Sequence, residues 1–181
     1  MVKTKPSGVL AAAGGALVAV GSLVVMLMVV EARPAEATFP GPNGKIAYSV
    51  LNSGIYTINP GGGGKSKVTD TLMSGDAKPS YSPNGKRIAY SDYDGNDFEI
   101  YTIKVGGGGE TKVTNNVKDE EAPSYSPDGE KIAYECFKAL GTDDDEDFDI
   151  EICTINVGGG GKTKVTDTVG YAMDPSWARR P

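Results

Sequence analysis

Histidine is missing from the entire chain. Its absence removes the Ser-His-Asp and Cys-His systems, in which an imidazole takes the proton of the nucleophile. It also removes imidazole-ligated zinc, copper and non-haem iron. Carboxylate, lysine and tyrosine chemistry remains, without the commonest general base. Cysteine is scarce, with two residues in 181, and basic residues are outnumbered, 18 Lys and Arg against 24 Asp and Glu. The formal charge of −6 argues against nucleic acid as a partner and against electrostatic docking on anionic lipid, because both need Lys and Arg clusters. Beyond residue 38 no stretch shows the 3.6-residue apolar period of an amphipathic helix.

The one long apolar run is at the N-terminus. Lys3 and Lys5 precede an uncharged stretch from Gly8 to Val30, and Ala35-Glu36-Ala37 follows as a small-x-small cleavage pattern. Residues 1–37 therefore read as a signal peptide cut after Ala37 or as a retained N-terminal membrane anchor, the length of the run favouring the anchor and the cleavage pattern the signal. Either way the two lysines keep the N-terminus inside and send residues 38–181 out. Export is the expectation, periplasmic, extracellular or anchored facing outward, with membrane contact only through this segment.

What fills residues 38–181 is a repeat. Pro-Asn/Asp-Gly followed by an Ile-Ala-Tyr strand occurs at Pro42–Tyr48, Pro83–Tyr90 and Pro127–Tyr134. A strand running into four glycines occurs at Ile55–Ile58, Ile100–Ile103 and Ile152–Ile155, before Gly61–Gly64, Gly106–Gly109 and Gly158–Gly161. Lys-Val-Thr follows each time, at Lys67, Lys112 and Lys164. Ala47 to Ala89 is 42 positions and Ala89 to Ala133 is 44, a period that suits a four-stranded propeller blade. Ser-Pro-Asn-Gly and Ser-Pro-Asp-Gly are turn sequences, with proline presetting φ and glycine taking the positive φ. They join Pro79–Ser82 and Pro123–Ser126 to the Ile-Ala-Tyr strands, so each unit reads as four short strands rich in Ile, Val, Thr and Tyr.

These residues resemble the TolB-type propeller repeat, a WD-like repeat with a Pro-x-Trp-Ser-Pro-Asp-Gly turn, an Ile-Ala-Phe/Tyr strand, an Ile-Tyr strand and a Leu/Val-Thr strand. The resemblance covers about residues 39–178 and implies an all-β fold of three four-stranded blades, at about 39–70, 76–115 and 121–167, with a final strand at 173–178. It implies a periplasmic or extracellular place and, by analogy, an envelope lipoprotein as the kind of partner. The separate domain that precedes the propeller in the family has no counterpart in residues 38–181.

The strand inventory is uneven. Phe39-Pro40 cannot supply the opening strand of the first unit, whereas Pro175-Ser176-Trp177-Ala178 matches an opening strand with nothing after it. Propellers hold roughly 4–8 blades, so three make a partial ring, half of a six-bladed ring in a homodimer, or a fragment of a larger propeller.

Several motifs invite chemistry. Gly64-Lys65-Ser66 and Gly161-Lys162-Thr163 imitate the end of a phosphate loop, but Asn59 and Asn156 stand where its first glycine belongs and no helix follows, so hairpin loops are expected. Asp92, Asp94 and Asn96 alternate oxygen ligands, and Asp143, Asp145 and Asp147 lie in a denser acidic loop. These six are the calcium candidates, set against plain solvated loops. Ile103 in place of a twelfth-position glutamate rules out an EF-hand. Cys136 and Cys153 fall on neighbouring strands of the third unit, either as a disulfide closing the acidic loop or as two buried thiols. Tyr81, Tyr125 and Trp177 share one repeat position, which suits packing between blades better than a sugar-stacking platform. Asp76, Glu120, Glu121 and Asp174 are the carboxylates that a lyase- or lactonase-type propeller with a channel-bound cation could use, but their register drifts between copies. The expected function is a non-catalytic binding or scaffold module for an envelope or extracellular protein, or for a small ligand at the channel mouth, with no cofactor other than the calcium just named.

Overall fold

The computed structural model describes residues 43–70, 77–139 and 148–179. The leader 1–37, Asp76 and the calcium candidates Asp143, Asp145 and Asp147 lie outside the described residues. The described chain is all β, with no helix, and folds as three antiparallel sheets in sequence order. Blade 1 is β1 (Ile46–Val50), β2 (Gly54–Ile58) and β3 (Ser66–Lys67). Blade 2 is β4 (Ser80–Tyr81), β5 (Arg87–Tyr93), β6 (Phe98–Lys104) and β7 (Thr111–Lys112). Blade 3 is β8 (Glu120–Tyr125), β9 (Lys131–Ala139), β10 (Phe148–Asn156) and β11 (Thr163–Lys164). Within each blade neighbouring strands pair in chain order, as short breaker-bounded strands joined by tight turns must. Residues 173–178 form no strand within the chain. They run along the open side of blade 3, held by the Asp174 amide on Glu135 Oε1 at 2.7 Å and the Trp177 indole on the Ser124 carbonyl at 3.0 Å.

Alternation along each strand sends side chains to two seams. On β5, Ile88 and Tyr90 face blade 1, where they join Ile55, Val68, Ala77 and Ile103 in one apolar cluster. Ala89, between them, faces blade 3 and joins Ile100, Val113, Tyr125, Ile132, Tyr134 and Ile155 in the other. The period of two is why one sheet can be buried on both sides by unlike neighbours. Tyr125 is buried in its seam and Tyr81 packs against the other, so these rings serve as core.

The Ser-Pro-Asn/Asp-Gly turn is built twice to the same plan. The Ser126 carbonyl accepts from Gly129 N–H at 2.9 Å, and Ser126 Oγ accepts from Lys131 N–H at 2.9 Å. Asp128 Oδ1 accepts from Glu130 N–H at 2.9 Å. Ser82, Gly85, Arg87, Asn84 and Lys86 repeat these bonds at 2.8–3.0 Å. Gly85 and Gly129 have φ of 67° and 76°, so a Cβ there would be strained. Ser126→Ala removes the acceptor of a half-buried amide and is expected to cost about 1–2 kcal/mol in urea unfolding. An unchanged midpoint would show that water replaces the hydroxyl.

Candidate functional site

The carboxylates converge where β6 enters blade 2. Asp94 lies in the β5–β6 turn and Asp97 just before β6. Glu99 is on β6 itself, opposite Asp92 of β5. One oxygen each from Asp94, Asp97 and Glu99 lies within 4.8 Å of the others. Of the three calcium candidates described, only Asp94 belongs to this group. Asp92 takes the Tyr93 amide at 3.0 Å, and Asn96 gives its backbone N–H to Asp94 at 2.8 Å. Asp97 and Glu99 were not among the candidates. Their recurrence as Asp149 and Glu151 at the same place in blade 3 is the signal that could have found them.

A cation already sits there. Lys112 Nζ is 2.6 Å from Asp94 Oδ2, 3.2 Å from Glu99 Oε1 and 2.9 Å from Asn115 Oδ1. The Lys112 hydrogen bond, with the amides of Asn96 and Asp97, holds the Asp94 carboxyl down at about 2. Burial opposes charge on Lys112, but the bonds to Asp94 and Glu99 outweigh it and raise its pKa. Asp97 is pushed up, first by loss of water and then by Glu99 and Asp94, and its buried Oδ1 has no partner among the described protein atoms. The lysine thus supplies the positive charge that a metal would supply. Lys112→Met is expected to create a calcium site of about 10⁻⁴–10⁻³ M by calorimetric titration, where the native chain gives no heat. Equal heats from both would show that the ammonium does not occupy the site.

Behind this group lies a second one. Glu120, at the start of β8, is fully buried against Glu99. Asn116 Nδ2 reaches both Glu120 oxygens at 2.8 Å, and Lys162 Nζ reaches Oε1 at 3.1 Å. Burial, and then proximity to Glu99, raises the Glu120 pKa, although Asn116 and Lys162 oppose the rise. Glu99 has its pKa lowered despite burial, because Thr114, Glu120, Asn116 and Lys112 all bond to it. Blade 3 repeats the scheme: Glu151 accepts from the Thr166 hydroxyl and, at 3.1 Å, from the Thr168 amide. Glu135 accepts from the Asp174 amide and pairs with Lys78 at 3.6 Å. Of the four carboxylates considered for a channel cation, Asp76 lies outside the described residues, Glu120 is held by Asn116 and Lys162, Glu121 stands opposite Glu135 in the β8–β9 register, and Asp174 pairs with Lys78.

Cys136 and Cys153 form a disulfide, with Cα atoms 5.8 Å apart. It lies on the face of blade 3 turned toward blade 2. Blades 1 and 2 carry stacked rings near this place, Tyr48 on Tyr56 and Tyr90 on Tyr101. Cys153 takes the position of Tyr56 and Tyr101 in the repeat.

The inner strands border an open cleft of about 360 Å³, lined by Lys78, Pro79, Ser80, Pro123, Ser124 and Asp174 among others. It offers backbone, two hydroxyls and one ion pair, Lys78–Asp174 at 3.4 Å.

Three sheets of one repeat, packed face to face and ordered around their inner strands, define a β-propeller. More particularly, the fold is TolB-like. A protein described as TolB from Agrobacterium tumefaciens superposes with a TM-score of 0.57 at 22% identity, over 69% of this chain and 46% of that one. TolB from Acinetobacter baumannii gives 0.54 at 24% identity, over 68% and 29%. The tricorn protease gives 0.51 at 18% identity, over 70% and 12%. The chain thus spans less than half the length of each, and the likeness establishes the fold. No protein-family model and no curated protein sequence matches the chain.

Proposed function

We propose that residues 38–181 are an exported, non-catalytic β-propeller module that binds an envelope or extracellular protein, or a small ligand, through the cleft along its inner strands. One observation carries this reading: the buried glutamates are spent on holding the blades and the segments that follow them. Glu99, Glu120, Glu135 and Glu151 each take amides, hydroxyls or ammoniums of the blade framework, and the cleft is lined by prolines, serines and the Lys78–Asp174 ion pair. An open, polar, proline-lined trough suits an extended peptide or a loop better than a reaction that must exclude water. The lyase or lactonase reading would need free carboxylates around a cation at the channel, and it gains no support from this arrangement.

The test is photocrosslinking in intact cells, with the photoreactive residue at Ser80 or Ser124 in the cleft and, as a control, at Asn84 in the exposed β4–β5 turn. Adducts in the envelope or extracellular fraction from the cleft positions alone are expected. Adducts at the turn as strong as those in the cleft, or a chain confined to the cytoplasm, would overturn the reading.

A further inference from the structure

The blade-to-blade seam occurs twice in the chain, and its two halves are left bare at opposite ends. Between blades 1 and 2, Val68 is buried and its carbonyl oxygen lies 3.3 Å from where a β-carbon on Gly107 would stand. Between blades 2 and 3, Val113 is buried and its carbonyl lies 3.4 Å from the same point on Gly159. The third members of these series have no such neighbours: Val165 is 59% exposed, and Gly62 faces open space.

The inner side shows the same asymmetry. Tyr81 pairs with Ile88 and Tyr125 with Ile132, and both isoleucines are fully buried. Their counterpart Ile46, on a β1 that has no inner-strand partner among the described residues, is 51% exposed. A matching inner strand waits at the other end, in Pro175-Ser176-Trp177. It lies beside β8 as β8 lies beside β4, with the Trp177 indole on the Ser124 carbonyl at 3.0 Å and the Tyr125 amide on Ser80 Oγ at 3.3 Å. The segment thus holds the innermost place of a next blade whose outer strands the described chain does not provide.

We propose that two copies of this chain close a single six-bladed ring, each lending Ser176–Trp177 to the first blade of the other. The register follows from the two pairs already present. Ser80 opposes Ala89 and Ser124 opposes Ala133, so Ser176 opposes Ala47 of the second copy and Trp177 opposes its Ile46. Val165 then comes under the Gly62 loop of the second copy, as Val68 lies under Gly107. Two sets of the three described blades make six, within the usual range of about 4–8 blades. A two-fold ring leaves neither end face open, whereas an unclosed head-to-tail contact would grow without limit.

The test uses the full chain in mild detergent. Ala47→Cys combined with Ser176→Cys is expected to give, on oxidation, a covalent dimer at twice the chain mass, because the two native cysteines are already bonded to each other. Either single variant is expected to stay unlinked. Light scattering of the native chain, corrected for detergent, is expected to give two copies. Val165→Lys alters a side chain exposed in one copy, so its circular dichroism should match the native chain while the dimer dissociates at least tenfold more readily. A one-copy mass without crosslinking, a ladder of larger species, or a Val165→Lys protein as dimeric as the native one would each overturn the proposal.

Discussion

Glu120→Ala is expected to lower stability by about 3 kcal/mol, read from the urea midpoint at neutral pH. Removing one partner of a buried charged pair typically costs 3–5 kcal/mol, because the other is left without compensation. The lower end applies because the other charge can recover water: Lys162 has a side chain 43% exposed. Asn116 is exposed and can recover water as well. Its side-chain amide gives both Glu120 oxygens a hydrogen bond while its backbone N–H binds Glu99, so one residue ties β6 to β8 through two carboxylates. Glu120→Gln keeps the shape and can donate to Glu99, so its cost should be well under that of alanine. A loss below about 1 kcal/mol for alanine would mean that the two blades do not depend on this junction.

The same residue sets a pH dependence of definite sign. Because the folded-state pKa of Glu120 is raised, chiefly by burial, its contribution is full below the ordinary carboxylate value and is lost as pH climbs through the raised one. Asp94 acts in the opposite sense. Held at about 2, chiefly by its Lys112 hydrogen bond, it contributes above the ordinary value of 3.8 and loses that contribution as pH falls toward 2. Glu120→Gln should therefore flatten the decline on the higher-pH side only, and Asp94→Asn the decline on the acid side only.

The fold was legible because each of its signals is local and repeated. Turn residues, β-branched runs and glycine loops recur at one spacing, and a period of that length has few architectures to serve. The acidic site was less so. Alternation from Asp92 pointed to Asp94 and Asn96, but in a strand-and-turn frame the side chains that meet are set by cross-strand register and by what comes round from the next blade. Asp97 and Glu99 join Asp94 through that register, and Glu120 reaches Glu99 from a different sheet, a contact no linear spacing contains. Lys112 as the resident cation was hidden likewise: it looks like part of a Lys-Val-Thr strand until β7 is laid beside β6.

Cys136→Ala with Cys153→Ala is expected to cost about 3 kcal/mol, from the closure entropy of a loop whose ends are 17 residues apart. For a domain of this size that is roughly a 10 °C fall in melting temperature. The place of the loss should be as telling as its size. The bridge joins β9 to β10 and lies in the seam with Ala89, Ile100 and Val113 of blade 2. In a stack where each sheet touches only its neighbours, weakening one unit reaches the others through one seam at a time. Measured on a Val165→Lys background, in which the seam between copies is opened, hydrogen exchange should therefore show protection falling most in β9 and β10, less in β5 and β6, and least in β1 and β2, whose seam rests on Ile55, Val68, Ile88 and Tyr90 and contains no part of the bridge. Equal losses in all three blades would instead mean that the propeller unfolds as one block, with the seams between blades as strong as the strand pairing within them.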